Sequence, residues 1–224
     1  KQVIVTVGAS EGLMMVFDLV CDPGDEVIVF EPFYTNYQSM VGLKGISIVA
    51  ISTSLEHNFA LPSIETIEQS ITSKTKAILI CNPNNPTGSV IPRDTLVDLV
   101  ELARRRNLFL VADEVYREFV FDEERATSLL EIPGSEEVTI VIDSVSKRYS
   151  ACGARIGWLV SRREDVLSFA LKYTQMRLPA PTLEQVALVH VLDQGEADIQ
   201  RAKMEYAKRR EVAHRFLKEA DIHC

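Results

Sequence analysis

The sequence predicts an α/β protein, a three-layer α/β/α sandwich built on a mostly parallel mixed sheet of about seven strands. Three observations predict it. Short β-branched runs alternate with helical patterns over most of the 224 residues, the order that yields a parallel sheet between helix layers. Several runs, such as Ala77-Ile-Leu-Ile-Cys81 and Leu108-Phe-Leu-Val-Ala112, are apolar without alternation, as strands covered on both faces are. The polar residues that stand out collect just after such runs, at the strand ends where open α/β sheets bind ligands.

Residues 3–7 form the first strand. Gly8-Ala9-Ser10-Glu11-Gly12 follows it and leads into a helix over 11–20. Small residues there admit backbone N–H groups and the Ser10 hydroxyl to an anion at a helix N-terminus. A plain turn with Ser10 as N-cap is the competing reading. Strands over 26–30 and 47–51 bracket a helix over 35–43, and a helix over 63–71 precedes the strand over 77–81. Asn82-Pro83-Asn84-Asn85-Pro86-Thr87-Gly88 then makes a rigid turn whose asparagines offer amide donors past the strand end. A helix over 93–106 leads to the strand over 108–112 and then Asp113. A carboxylate directly after a buried strand costs several kcal/mol unless a partner meets it. A protonated ring nitrogen is one such partner.

The strand over 138–142 leads to Ser144-Val145-Ser146-Lys147-Arg148-Tyr149. A lysine fenced by hydroxyls at the end of a buried strand, with Arg155 eight residues on, is placed for a nucleophile held out of water. Desolvation and a nearby cation there lower an ammonium pKa and favour imine chemistry. A strand over 156–160 and a helix over 163–175 complete the alternation. From Thr182 the pattern is helical, with an apolar helix over 183–192 and a long charged one over 196–220.

Composition bounds the partners. The hydrophobic fraction of 46% suits a soluble domain with a substantial core, and the net charge of −8 argues against nucleic acid as a main partner. The basic runs Arg104-Arg105-Arg106 and Lys208-Arg209-Arg210 fall in helical patterns and read as solvated faces that complement helix dipoles. Cys21, Cys81, Cys152 and Cys224 are widely spaced, without metal-ligand spacing, which fits mostly buried thiols in a reducing, cytoplasmic setting. His57 and His190 are not placed as ligands, so no metal is expected. No apolar stretch approaches the roughly 20 residues that cross a bilayer. Residue 1 runs straight into a strand, and a cut N-terminus is expected.

Taken together, Asn82-Pro-Asn-Asn-Pro-Thr-Gly88, Asp113-x-x-Tyr116, and Ser144-x-x-Lys147 with Arg155 resemble the signature set of the class I/II aminotransferases. These are fold-type-I enzymes of the aspartate aminotransferase superfamily, which use pyridoxal 5′-phosphate. Order and spacing match from Gly8 to at least Trp158. The resemblance implies that residues 1–192 are the cofactor-binding large domain. Residues 193–224 then form a long helix leading into a C-terminal small domain that is absent from this chain.

The resemblance also implies roles. Lys147 matches the lysine that joins the cofactor aldehyde and later moves the substrate Cα proton. Asp113 matches the aspartate that pairs with the ring nitrogen, and Asn85 and Tyr116 match the donors to the ring's phenolic oxygen. Ser10, the backbone around Ala9, Ser144 and Arg155 match the phosphate cradle. Tyr34 matches the aromatic that stacks on the ring, with Tyr37 as its rival. Gly153 and Gly157 let backbone pass close to the pocket, whereas Ser146, Arg148, Tyr149 and Cys152 match no role. The segment that closes over substrate, the arginine for its α-carboxylate and a neighbouring subunit's tyrosine lie outside this chain.

The activity implied is a ping-pong transaminase acting on an amino acid and a 2-oxo acid, as a homodimer when full length, without membrane or nucleic-acid partners. A C–S lyase or β-eliminase of the same fold is one alternative. A cofactor-binding sensor domain of a transcription regulator is the other.

Overall fold

Seven apolar runs pair into one sheet in the computed structural model, which describes residues 2–121 and 125–222. The strands are β1 (Val3–Thr6), β2 (Glu26–Glu31), β3 (Ser47–Ser52), β4 (Thr75–Cys81), β5 (Phe109–Asp113), β6 (Thr139–Ser144) and β7 (Gly157–Ser161). Their order is β1-β7-β6-β5-β4-β2-β3. β7 runs antiparallel to both of its neighbours, and the other pairs are parallel. The expected mixed, mostly parallel α/β/α sandwich is therefore present.

The helices are α1 (Gly8–Val20), α2 (Asn36–Gly42), α3 (Ile64–Gln69), α4 (Arg93–Arg106), α5 (Val145–Arg148), α6 (Glu164–Arg177), α7 (Thr182–Gln194) and α8 (Glu196–Glu219). Alternate residues of each central strand go to opposite faces. Leu79, Val111, Ile140 and Ile142 meet Leu13, Val16 and Phe17 of α1 and Val166 of α6. Ile78, Ile80, Leu110 and Val141 meet Ile67 of α3 and Leu96, Leu99 and Leu102 of α4. Both faces are dry, which is why these strands carry no polar alternation. Each such buried aliphatic contributes about 1.5–3 kcal/mol relative to an exposed one.

Local signals set the element ends. α4 stops at Asn107, which adopts the left-handed conformation (φ 53°) common at helix C-termini. Its last turn carries Arg104, Arg105 and Arg106, and Arg105 pairs with Glu68 at 3.0 Å. Ser63 caps α3 by accepting from Thr66 N–H. At α1 the structure corrects the sequence reading. The helix begins at Gly8, with Val7 as N-cap, so Ser10 lies inside the first turn and caps nothing. The Val7 N–H is met by Glu11 Oε2 at 2.7 Å instead.

No helix among the described residues is long and apolar enough to cross a membrane. Cys224 lies outside the described residues, and of the other three cysteines only Cys81 is buried.

The strand-to-helix turn after β1 is packed against β7 with no room for a side chain. Gly8 takes φ +74°, and a Cβ on Gly157 would lie 2.6 Å from Gly8 C and 2.8 Å from Ala9 N. Those neighbours are backbone and cannot swing aside. Gly153, by contrast, faces open space, so the close approach expected at both glycines holds at Gly157 alone. Gly157→Ala is expected to cost about 1–3 kcal/mol in urea unfolding. A variant with the parental midpoint would show that the turn is looser than described.

Candidate active site

The carboxyl ends of β4, β5 and β6 and the N-terminus of α1 enclose a cleft of about 280 Å³. Strand register places its members: Cys81 ends β4 opposite Asp113, and Asp113 stands opposite Ile142 on β6. Asp113 is 5% exposed. Tyr37 O–H donates to Asp113 Oδ2 at 2.7 Å, and Val115 N–H donates to Oδ1 at 3.3 Å. Burial pushes this carboxyl's pKa up, while the Tyr37 and Val115 donors and the Lys147 ammonium pull it back. An ionised carboxylate accepts at about four lone-pair positions, so capacity remains for one more donor.

Tyr37 itself is buried, and burial followed by the Asp113 charge drives its phenol pKa well above the ordinary value. It therefore stays protonated and donating. Cys81, next to both, is pushed up to about 12 by burial and by Asp113. It is a neutral wall of the cleft, donating to Pro83 O at 3.2 Å. Tyr34 also lines the cleft, and its ring meets that of Tyr37 edge-on, with centroids 5.5 Å apart. Both tyrosines line the cleft, and the buried Tyr37 is the one that meets Asp113.

β6 delivers the lysine. Ser144 ends the strand, and its Oγ accepts from Ser146 N–H to start the single turn of α5. Lys147 lines the cleft, with Nζ 5.7 Å from the Tyr116 ring centroid. The sequence suggested a lysine held out of water, and the structure corrects this. Lys147 is exposed, because α5 carries it one turn beyond the strand to the mouth of the cleft.

Arg155 is held at φ 52°, a left-handed conformation costing a non-glycine residue roughly 1–2 kcal/mol. Its Nη1 donates to Cys152 O at 2.8 Å and its Nη2 to Val7 O at 3.4 Å. A Cβ on Gly8 would fall 2.2 Å from Nη2. The bare glycine is what lets the guanidinium lie against the first turn of α1, beside Ala9 and Ser10. A cation, the Ser10 and Ser144 hydroxyls and the first N–H groups of a helix then face one space, a donor set that suits a phosphate.

Asn85 lines the cleft, but its neighbours do not. Asn82 accepts from Ile91 N–H and donates to Thr127 O, and Asn84 donates to Pro32 O and Thr87 Oγ1. Of the three asparagines expected to aim past the strand, two brace the turn. Ala9, Ser10, Tyr34, Asn85, Asp113, Tyr116, Ser144, Lys147 and Arg155 all border the same cleft.

Sequence reasoning passed over three groups around this cleft. Tyr37 enters the sequence reading only as a rival of Tyr34, and its partner Asp113 lies 76 positions away, beyond any local signal. Glu114 points to the other face from Asp113, where Oε1 accepts from Ser128 Oγ at 3.0 Å and Leu129 N–H at 2.9 Å. Burial raises it to about 7. Asp143, on β6, is also raised to about 7 by burial, against the pull of Arg148 and of Ser144 N–H. Among the described residues no cluster of His, Cys, Asp and Glu could hold a metal ion.

The sequence matches the family described as aminotransferase class I and II over residues 1–224. It is 42% identical over 192 residues to an aspartate aminotransferase of Thermotoga maritima, covering 86% of this chain and 50% of that protein. It is 33% identical over 217 residues to an aspartate/prephenate aminotransferase of Thermus thermophilus, covering 95% of this chain and 55% of that one. The solved structure of the Thermus thermophilus aspartate aminotransferase with maleate superposes with a TM-score of 0.90 at 32% identity, over 97% of this chain and 57% of its own. The chain thus spans about half the length of the curated relatives it matches.

Two stability outcomes follow from the buried acids. Tyr37→Phe removes a donor from Asp113 and is expected to cost about 1–3 kcal/mol, more at neutral than at acid pH, since the ionised acid needs the donor most. Urea titrations at the two pH values read this, and equal costs at both would refute the Tyr37–Asp113 bond. Glu114 binds its proton more tightly folded than unfolded, so its contribution to stability is largest below its unfolded pKa of 4.5 and declines as pH rises to about 7. Glu114→Gln keeps the accepting oxygen and removes this decline. Wild-type stability relative to the variant should therefore fall by on the order of 3 kcal/mol across that window, and a flat difference would contradict the assignment.

Proposed function

The chain belongs to the class I and II aminotransferases, and from that premise we propose that it forms the cofactor-holding part of a pyridoxal 5′-phosphate-dependent transaminase. The observation that carries the reading is the convergence on one cleft of a lysine, a fully buried carboxylate and a cation beside a helix N-terminus. Each answers a different part of that cofactor. Arg155, Ser10, Ser144 and the backbone at Ala9 would hold the phosphate. Asp113, with acceptor capacity left and water excluded, would hold the protonated ring nitrogen. Asn85 and Tyr116 would donate to the phenolic oxygen, and Tyr34 would cover the ring. Bound there, the cofactor supplies an electron sink for the charge left on a substrate carbon that loses a proton.

The chain's own residues do the rest. Lys147 Nζ would hold the cofactor's reactive carbon and would serve as general base toward the substrate Cα proton. Its exposed position at the cleft mouth leaves it free to swing between those two tasks. Asp113 would keep the ring nitrogen charged, and Tyr37 fixes the carboxylate by donating to its Oδ2. Cys81, neutral in this setting, does not compete with Lys147 as a nucleophile.

The finer reading is of an amino acid and a 2-oxo acid as alternating substrates in a ping-pong cycle. The names of the aspartate and prephenate relatives support it. Residues 1–192 serve as the cofactor domain, and 193–224 lead toward a small domain that supplies the substrate's carboxylate contact. A cytoplasmic homodimer is part of the same proposal.

The full-length protein, loaded with cofactor, is expected to show a visible absorption band that an amino donor bleaches and a 2-oxo acid restores. Release of ammonia without restoration would overturn transamination in favour of elimination. Lys147→Ala is expected to abolish the band and to lower turnover by at least about 10²–10⁴-fold while leaving the unfolding midpoint near the parental value. A variant that keeps the band removes Lys147 from the mechanism.

A further inference from the structure

Arg148 follows Lys147 directly, and the function proposed above leaves it without a task. Its side chain is nonetheless tied down through one nitrogen, while its Nε is buried without a hydrogen-bond partner. Its Nη2 donates to Asp143 Oδ2 at 2.6 Å and lies 3.3 Å from Glu118 Oε1. The guanidinium also sits 5.7 Å from the Trp158 ring centroid. Side-chain exposures of 13% for Arg148, 6% for Asp143 and 17% for Glu118 set this apart from a surface ion pair.

Each contact reaches a different segment behind the cleft, next to residues that line it. Asp143 precedes Ser144 on β6 and points to the opposite face, and its Oδ1 accepts from Ser144 N–H at 2.6 Å. Glu118 stands two residues past Tyr116, in the turn after β5. Trp158 follows Gly157, whose backbone packs on Gly8 and Ala9. Both carboxylates meet the single Nη2 at the end of a rigid planar group, a placement that a flexible lysine ammonium does not reproduce with the same fixed geometry. One guanidinium thereby joins the lysine turn to the strand it leaves and to the turn that carries Tyr116.

We propose that Arg148, bridging Asp143 and Glu118, is a positioning residue that holds Lys147 and Tyr116 at a fixed separation across the cleft. The inference rests on the transaminase reading, in which both residues address the same cofactor. Neutralising Asp143 is part of what Arg148 does, and on that account alone Glu118 would be dispensable. The bridge makes Glu118 matter.

The two accounts separate by the sign of a spectroscopic shift. The cofactor's visible band titrates with pH, and a phenol donor on the ring's phenolic oxygen stabilises the deprotonated form. A Tyr116 that drifts away therefore raises the midpoint. Glu118→Gln leaves the Arg148–Asp143 pair in place and cuts the tie to the Tyr116 turn. Positioning predicts a midpoint raised by roughly half a pH unit, whereas simple loss of a nearby anion would lower it. Arg148→Lys keeps every charge, so positioning again predicts a rise and electrostatics predicts none. Both variants are made in the full-length holoenzyme, with the unfolding temperature recorded alongside. A raised midpoint in both, with the unfolding temperature near wild type, is the expected result. A lowered or unchanged midpoint in either, or a fallen unfolding temperature with the midpoint unmoved, overturns the proposal. Absence of the band in the wild type would instead sink the transaminase reading on which it stands.

Discussion

One buried charge organises this molecule. Asp113 ends the central strand β5 inside the sandwich, where an unpartnered carboxylate would cost several kcal/mol. Tyr37 and the Val115 N–H meet part of that demand, and the unmet part faces the cleft. Such a group is expensive in the isolated fold and useful only if something cationic arrives. The same burial that raises the Asp113 pKa also raises Tyr37 and Cys81. All three follow from one low-dielectric floor beneath the cleft, and that floor makes a carboxylate–pyridinium contact strong where it forms.

Strand alternation then sorts the remaining acids. Asp113 and Glu114 are neighbours in sequence but face opposite layers, as do Asp143 and Ser144. The face away from the cleft therefore collects Glu114 and Asp143, each raised to about 7. Glu114 is satisfied by the Ser128–Leu129 loop, and Asp143 by Arg148. Two acids with partners of their own thus lie behind the one that lines the cleft, and Arg148 links the two sides through the lysine turn.

The opposite end of the cleft is set by contact distances rather than by charge. Gly8 and Gly157 allow the β1–α1 turn, β7 and the Arg155 guanidinium to share one small volume. Arg155 in turn adopts a strained backbone to reach it. The arrangement sets a cation and a helix N-terminus side by side with no linking side chain, so an anion meets both at once.

Much of this was legible in the residues. The apolar runs at 77–81 and 108–112 named the central strands, and the residues after each run named the cleft, because strand ends in an open α/β sheet are where side chains emerge from the core. α4 was placed at Arg93–Arg106 from periodicity and its basic last turn. Less local facts escaped. Ser10 looked like a cap because its type favours that role, but Gly8 starts the helix earlier. Lys147 looked buried because its strand is, but one helical turn carries it outward. The tie between Tyr37 and Asp113 spans 76 positions, and no spacing rule reaches so far. What the sequence alone determined was the layer architecture and which residue types stand at the strand ends, since periodicity and propensity act over a few residues. Which of those side chains is buried, which donor meets which carboxylate, and that Arg148 clasps three segments were decided only by the tertiary structure, because burial and partnership depend on chain segments that meet only when the sheet closes.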